Sequence, residues 1–179
     1  MFASRRISTP IVGKREMALS RMRTAAEIIS NCGATDVEIT QVGGGYGAGT
    51  FHLYAYFKSM EHSMEVSDNL RNDIAWAKLA EEPELTPSAH VTGPELARIL
   101  AGEPIPNDTA AMVREYVIPR ENLSTAADMV PGIQEMLKGH DVNITMWVPV
   151  IAEDMKRLLV VYSAPDLKTH SEKAQMKWE

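Results

Sequence analysis

Apolar and polar positions alternate along residues 50–58. Phe51, Leu53, Ala55 and Phe57 hold one parity, and His52, Tyr54 and Tyr56 hold the other. That is the period of a strand with two unlike faces. Residues 14–32 keep another period. Ala18, Met22, Ala25, Ile29 and Cys32 recur at spacings of three and four, the apolar stripe of a helix that Gly33 would stop. Phe2–Thr9 reads as a first strand ended by Pro10, and Asp36–Val42 as a second. Ser59 is placed to cap a further helix running to about Glu81, with Val66, Leu70, Ile74 and Ala77 inward. The order is strand, helix, strand, strand, helix.

Residues 81–110 interrupt this pattern. Pro83, Pro87, Pro94, Pro104 and Pro106 crowd into them, which predicts a linker with one short helix over Pro94–Ala101. The order then starts again. Ala111–Ile118 reads as a strand. Leu123, Ala126, Val130, Ile133 and Leu137 form a helical stripe that Pro131 should kink or split in two, and Gly139 ends it. Val142–Val148 and Lys156–Ser163 follow as strands, and Asp166–Glu179 is left for a last helix.

Asp36–Thr40 reads DVEIT and Asp141–Thr145 reads DVNIT, so the chain presents as two copies of one unit. The expected division is 1–80 for the first repeat, 81–110 for the linker and 111–179 for a shorter second repeat. The element order is that of a ferredoxin-like unit. The fold class is therefore α+β, with two ferredoxin-like repeats, antiparallel sheets and helices on one face of each. Matching Tyr56 with Tyr162 puts both on the face away from the helices. Asn143, Thr145 and Trp147 fall opposite the apolar set Val142, Ile144, Met146 and Val148. Sheets with two apolar faces should be buried on both, so the bare faces are expected to pack together into an α+β barrel.

Composition narrows the function classes. Of 179 residues, 45% are apolar, enough for a sizeable core, and the net charge of −6 argues against nucleic acid as the main partner. Arg5, Arg6, Lys14, Arg15, Arg21 and Arg23 stand against Glu16 alone at the N-terminus. A transit-type segment has this composition, but the second copy requires a counterpart here, which favours a first strand and helix. No run of residues is apolar enough to span a membrane. The single cysteine, Cys32, cannot form an internal disulfide and suits a reducing, cytoplasmic setting.

Gly43–Gly49 lacks the spacing and the Lys-Ser/Thr pair of a phosphate loop. It joins strand to strand, so it reads as a hairpin loop, with a flap as the functional alternative. His52, His62, His90, His140 and His170 show no metal-ligand spacing, and neither a metal nor a cofactor is expected. His52 stands apart because it lies mid-strand beside Tyr54. An imidazole there needs a partner, which makes it either a structural pair or a pocket-lining acid or base. His52 and Tyr54 are the candidate catalytic residues. Glu38 on the neighbouring strand could contact His52. Glu38, Tyr56, Trp147 and Tyr162 are candidate substrate-binding residues, with plain core as the alternative for the aromatics. Arg5, Arg6 and Arg114 lie on first strands, where one parity faces inward and could pair with Glu38 or Glu115.

Element order, the DVEIT/DVNIT strands and the aromatic face together resemble the dimeric α+β barrel superfamily in tandem form. That resemblance implies either a cofactor-free or haem-related oxygenase-like enzyme binding a small aromatic or hydrophobic molecule between the sheets, or a non-catalytic binding or assembly module. The partners it implies are such a ligand and a second copy of the chain in a homodimer; the acidic charge and the lack of a long apolar run leave nucleic acid and membrane out of the expectation.

Overall fold

The computed structural model describes residues 1–105 and 108–169. The chain divides into two compact units, Met1–Leu96 and Ala97–Glu179. The architecture is α+β, with seven strands and five α-helices among the described residues.

The first unit runs β1 (Phe2–Pro10), α1 (Arg15–Asn31), β2 (Asp36–Gln41), β3 (Phe51–Phe57), α2 (Met60–Arg71), α3 (Ile74–Leu85) and the start of β4 (Ala89–Ala101). Its strands lie in the order β2-β3-β1-β4, and β3 pairs antiparallel with both β1 and β2. The alternation in β3 appears directly as burial. Phe51, Leu53, Ala55 and Phe57 are buried against Met22 and Ile29 of α1 and Val66 and Leu70 of α2. Burying one such large side chain stabilises by roughly 1.5–3 kcal/mol. The basic N-terminal residues form β1 and α1, and Gly33, at φ +109, follows the end of α1.

Ser59 caps α2 as its sequence predicts, its Oγ accepting the His62 N–H at 3.1 Å. That helix does not continue to Glu81. It ends at Arg71 with Asn72 as its C-cap, and Asp73 starts α3 by accepting the Trp76 N–H at 2.8 Å. The break turns Ile74 out to solvent, 75% exposed, so it is not part of the inner stripe. On β1, the Arg6 guanidinium lies 5.5 Å from the Trp76 ring, and burial pushes its pKa below the usual arginine value. The Ser4 hydroxyl is buried with no hydrogen-bond partner, a deficit that costs about 1–3 kcal/mol.

Pro94–Ala101, expected as a helix within a linker, is strand. The strand passes close to β1 at Gly93, where an added Cβ would lie 2.5 Å from the Arg5 carbonyl oxygen.

The second unit takes the end of β4, then β5 (Ala110–Val117), a 3-10 turn, α4 (Leu123–Asp128), α5 (Val130–Leu137), β6 (Asn143–Ile151) and β7 (Arg157–Ala164). The strand order is β4-β6-β7-β5, with β7 antiparallel to β6 and β5. Pro131 divides the predicted helix in two by falling in the first turn of α5, where a missing N–H costs nothing. Val130 and Leu137 pack on Ile144, Met146, Val148, Leu158 and Val160. Val37 and Ile39 in one unit, and Val142 and Ile144 in the other, join the helix-side cores, as the DVEIT and DVNIT strands predict.

Tyr162 does not share the face of Tyr56. It lies opposite Ile144 and packs with Leu158 and Val160 on the helix side. Matching the two tyrosines slips the register, and a slip of one residue turns a strand over. Of the last predicted helix, 166–169 are described and 167–169 are helical; the rest, with His170, lies outside the described residues. No helix among the described residues is long and apolar enough to cross a membrane.

Candidate functional site

The first unit's sheet carries its polar chemistry on the face away from α1 and α2. Across the strands, Tyr54 lies between Arg5 and Glu38, His52 between Ile7 and Thr40, and Tyr56 between Ala3 and Asp36. Directly opposed residues share a face, so β1, β2 and β3 gather these side chains into one patch.

Two hydrogen-bonded groups organise it. In the first, His52 Nε2 is 3.3 Å from Thr50 Oγ1 and His52 Nδ1 is 3.2 Å from the Tyr54 hydroxyl. The two rings meet edge-on with centroids 6.0 Å apart. In the second, the Tyr56 hydroxyl donates to Glu38 Oε1 at 2.5 Å. Burial first, and then this bond to the carboxylate, pushes the Tyr56 phenol well above its ordinary value. Tyr56 therefore stays protonated and holds the carboxylate in place. Nearby, Arg5 reaches across to β4 and donates to Glu95 Oε2 at 2.8 Å, both side chains half-buried or deeper.

The shift at Tyr56 has a consequence for stability. An unfolded tyrosine releases its proton as pH rises past 10.0, whereas the folded Tyr56 keeps it to higher pH. The unfolded state then binds fewer protons than the folded one, so stability falls above that pH and is unaffected below it. Tyr56→Phe is expected to flatten this alkaline loss. Urea midpoints measured from about pH 9 to about pH 11 check it.

Of the residues expected from sequence, Glu38, His52, Tyr54 and Tyr56 come together here. Glu38 meets Tyr56, not His52, because the register sets it beside Tyr54 and within reach of the Tyr56 hydroxyl. Trp147 belongs to the second unit, where its buried indole N–H donates to Thr145 Oγ1 at 2.9 Å. Tyr162 also belongs there, on the helix side. Sequence reasoning missed Thr50 and Glu95 and left the orientation of Arg5 open. Arg5, not Arg6, turns toward the patch, since Arg6 lies opposite Leu53 on the helix side. Arg5 pairs with Glu95, while Glu115 has Arg157 at 4.0 Å.

Gly43–Gly49 is a hairpin loop. Val42 N–H donates to the Thr50 carbonyl and Gly49 N–H to the Val42 carbonyl, at 3.0 and 2.8 Å. No helix N-terminus follows it, so it offers no phosphate cradle. His62 is a structural pin whose Nδ1 accepts the Lys58 N–H at 3.2 Å while Nε2 sits 2.9 Å from the Gly33 carbonyl. His90 lies on β4, exposed. Among the described residues, no group of three or more His, Cys, Asp or Glu side chains is placed to hold a metal.

Solved structures share this arrangement of elements. A protein of Fusobacterium nucleatum described as a "putative monooxygenase" superposes with a TM-score of 0.62 at 9% identity, over 98% of this chain and 81% of that one. A "putative monooxygenase" of Lactobacillus acidophilus does so with a TM-score of 0.56 at 6% identity, over 98% and 83%. The chain shares their fold. No protein-family model matches the sequence, and no curated protein matches it. The likeness therefore concerns architecture, not chemistry.

Proposed function

We propose that this chain is an oxygenase-like enzyme of the dimeric α+β barrel type, and that the Glu38–His52–Tyr54–Tyr56 face binds a small aromatic or hydrophobic molecule. The strand order β2-β3-β1-β4 around α1 and α2 supports a ferredoxin-like first repeat, and β5, α4–α5, β6 and β7 support a shorter second one. The observation that carries the reading is the contact of His52 Nδ1 with the Tyr54 hydroxyl on a half-buried aromatic face.

In this reading Tyr54 takes the proton of a weakly acidic ligand hydroxyl as it passes its own to His52. The resulting anion is electron-rich and reduces dioxygen itself. A ring C–H carbon ortho or para to that oxygen becomes C=O as the ligand oxygen does, one atom of dioxygen entering the product and the other leaving as water with the two hydrogens. Glu38 and Tyr56 shape the floor beside it. A haem does not fit at His52, because an axial bond to iron needs a ring-nitrogen lone pair and both nitrogens already face Thr50 and Tyr54. No step is assigned to haem.

Oxygen uptake over a panel of hydroquinones and naphthols tests the reading. Uptake that His52→Ala abolishes supports it, and uptake indifferent to both His52→Ala and Tyr54→Phe sinks it. A second reading is a non-catalytic binder. The mutual pairing of Tyr56 with Glu38 and Arg5 with Glu95 favours it, since a structural patch satisfies its own polar groups. Saturable calorimetric binding of the same compounds without oxygen uptake would select it.

A further inference from the structure

The geometry points to Thr50 as a positioning residue that decides which nitrogen of His52 carries the proton, and to the glycine hairpin as the device that holds Thr50. This inference rests on the reading of His52 as the base. A threonine hydroxyl has one proton to give. Thr50 is buried, and its Oγ1 lies 2.7 Å from the Gly47 carbonyl oxygen, which can only accept. The proton is thereby committed to Gly47. Toward His52, 3.3 Å away, the same oxygen can only accept, so Nε2 must be the protonated nitrogen. In a neutral imidazole the lone pair then falls on Nδ1, which faces the Tyr54 hydroxyl. The opposite tautomer would aim an N–H at Tyr54 and force its oxygen to accept, and Tyr54 could not then hand on a proton.

The hairpin gives this arrangement its rigidity. The Gly47 carbonyl receives the Thr50 amide as well as the hydroxyl, at 3.0 Å. Gly47 and Gly49 adopt φ +77 and φ +87, in the left-handed region where other residues are strained. The run Gly47-Ala48-Gly49-Thr50-Phe51-His52 thus acts as one unit. Glycine permits the turn, the turn aims a carbonyl, the carbonyl takes the threonine proton, and the histidine follows.

The test is the tautomer of His52, read by long-range proton–nitrogen NMR correlations of the imidazole in the full chain at a pH where the ring is neutral. His52→Gln assigns the signal among the five histidines. The expected wild-type pattern has Nε2 protonated and Nδ1 bare. Thr50→Val should move both nitrogens toward the mixed pattern, Gly47→Ala should move them in the same direction, and Thr50→Ser should restore the original. A wild-type Nδ1 that carries the proton overturns the inference, as does an unchanged pattern in a folded Thr50→Val. The wild-type spectrum decides even where a variant does not fold. Because no substrate is needed, failure here is distinct from failure of the oxygenase reading. With an active substrate, Thr50→Val should lower kcat by about 10-fold or more with KM little changed, and Thr50→Ser should recover it.

Discussion

Replacing Gly102 by alanine is expected to destabilise the second unit by about 3 kcal/mol or more. Gly102 sits at φ +80, and an added Cβ would overlap the Ile144 carbonyl oxygen and lie 3.1 Å from the Thr145 Cα. Both obstacles are backbone of β6, so no side chain can swing aside. The left-handed conformation alone costs an alanine about 1 kcal/mol or more, and the overlap adds to it. Gly93→Ala should behave alike in the first unit, for the same reason at the Arg5 carbonyl. Gly132 is the control. It lies within α5 at ordinary φ with nothing within 4 Å of an added Cβ, so alanine there should gain about 0.5–1 kcal/mol in helix propensity. Urea unfolding of the three variants compares them, and a Gly102→Ala midpoint equal to that of Gly132→Ala would refute the argument.

Tyr54→Phe is expected to cut turnover by about 100-fold or more while leaving the ligand's affinity within a few-fold. The variant keeps the ring, its edge contact with His52 and its place between Arg5 and Glu38, and loses only the hydroxyl 3.2 Å from Nδ1. His52→Ala should cost a similar factor, because it removes the other end of the same proton path. If the two act as one relay, the double variant is no worse than either single one. Steady-state oxygen uptake alongside calorimetric binding separates the effects. Multiplicative losses in the double variant would mean two independent roles.

The sequence made β3 legible because its two parities differ so sharply: four buried apolar side chains against a histidine and two tyrosines. The same alternation puts Glu38, His52, Tyr54 and Tyr56 on one face of the sheet. β4 was not legible. Pro94 would open a helix inside it and Gly102 would stop that helix, and Leu96, Ile99 and Leu100 keep helical spacing, so local signals favour a helix. Strand pairing overrides those signals, since β4 has hydrogen-bonded neighbours on both sides, β1 and β6. With β4 misread, Glu95 could not be placed and the partner of Arg5 stayed hidden. Tyr162 failed for another reason. Residue identity aligned it with Tyr56, but the buried set Leu158 and Val160 fixes its parity, and side-chain burial is stronger than a matching letter. Thr50 gave no signal at all, because a hydrogen bond two residues along a strand depends on a turn geometry that no pattern encodes.

Cys32 is the chain's single thiol, and it is buried within the first unit's core beside Ile28 and Ile29. Burial, and then the Asp73 carboxylate, hold it above its ordinary pKa, so the reactive thiolate is doubly suppressed while the unit is closed. Opening of that unit is therefore expected to speed the reaction of Cys32 with a thiol reagent. The protein thus carries a native clock for the opening of its proposed catalytic half, one that the second unit, which has no cysteine, cannot advance.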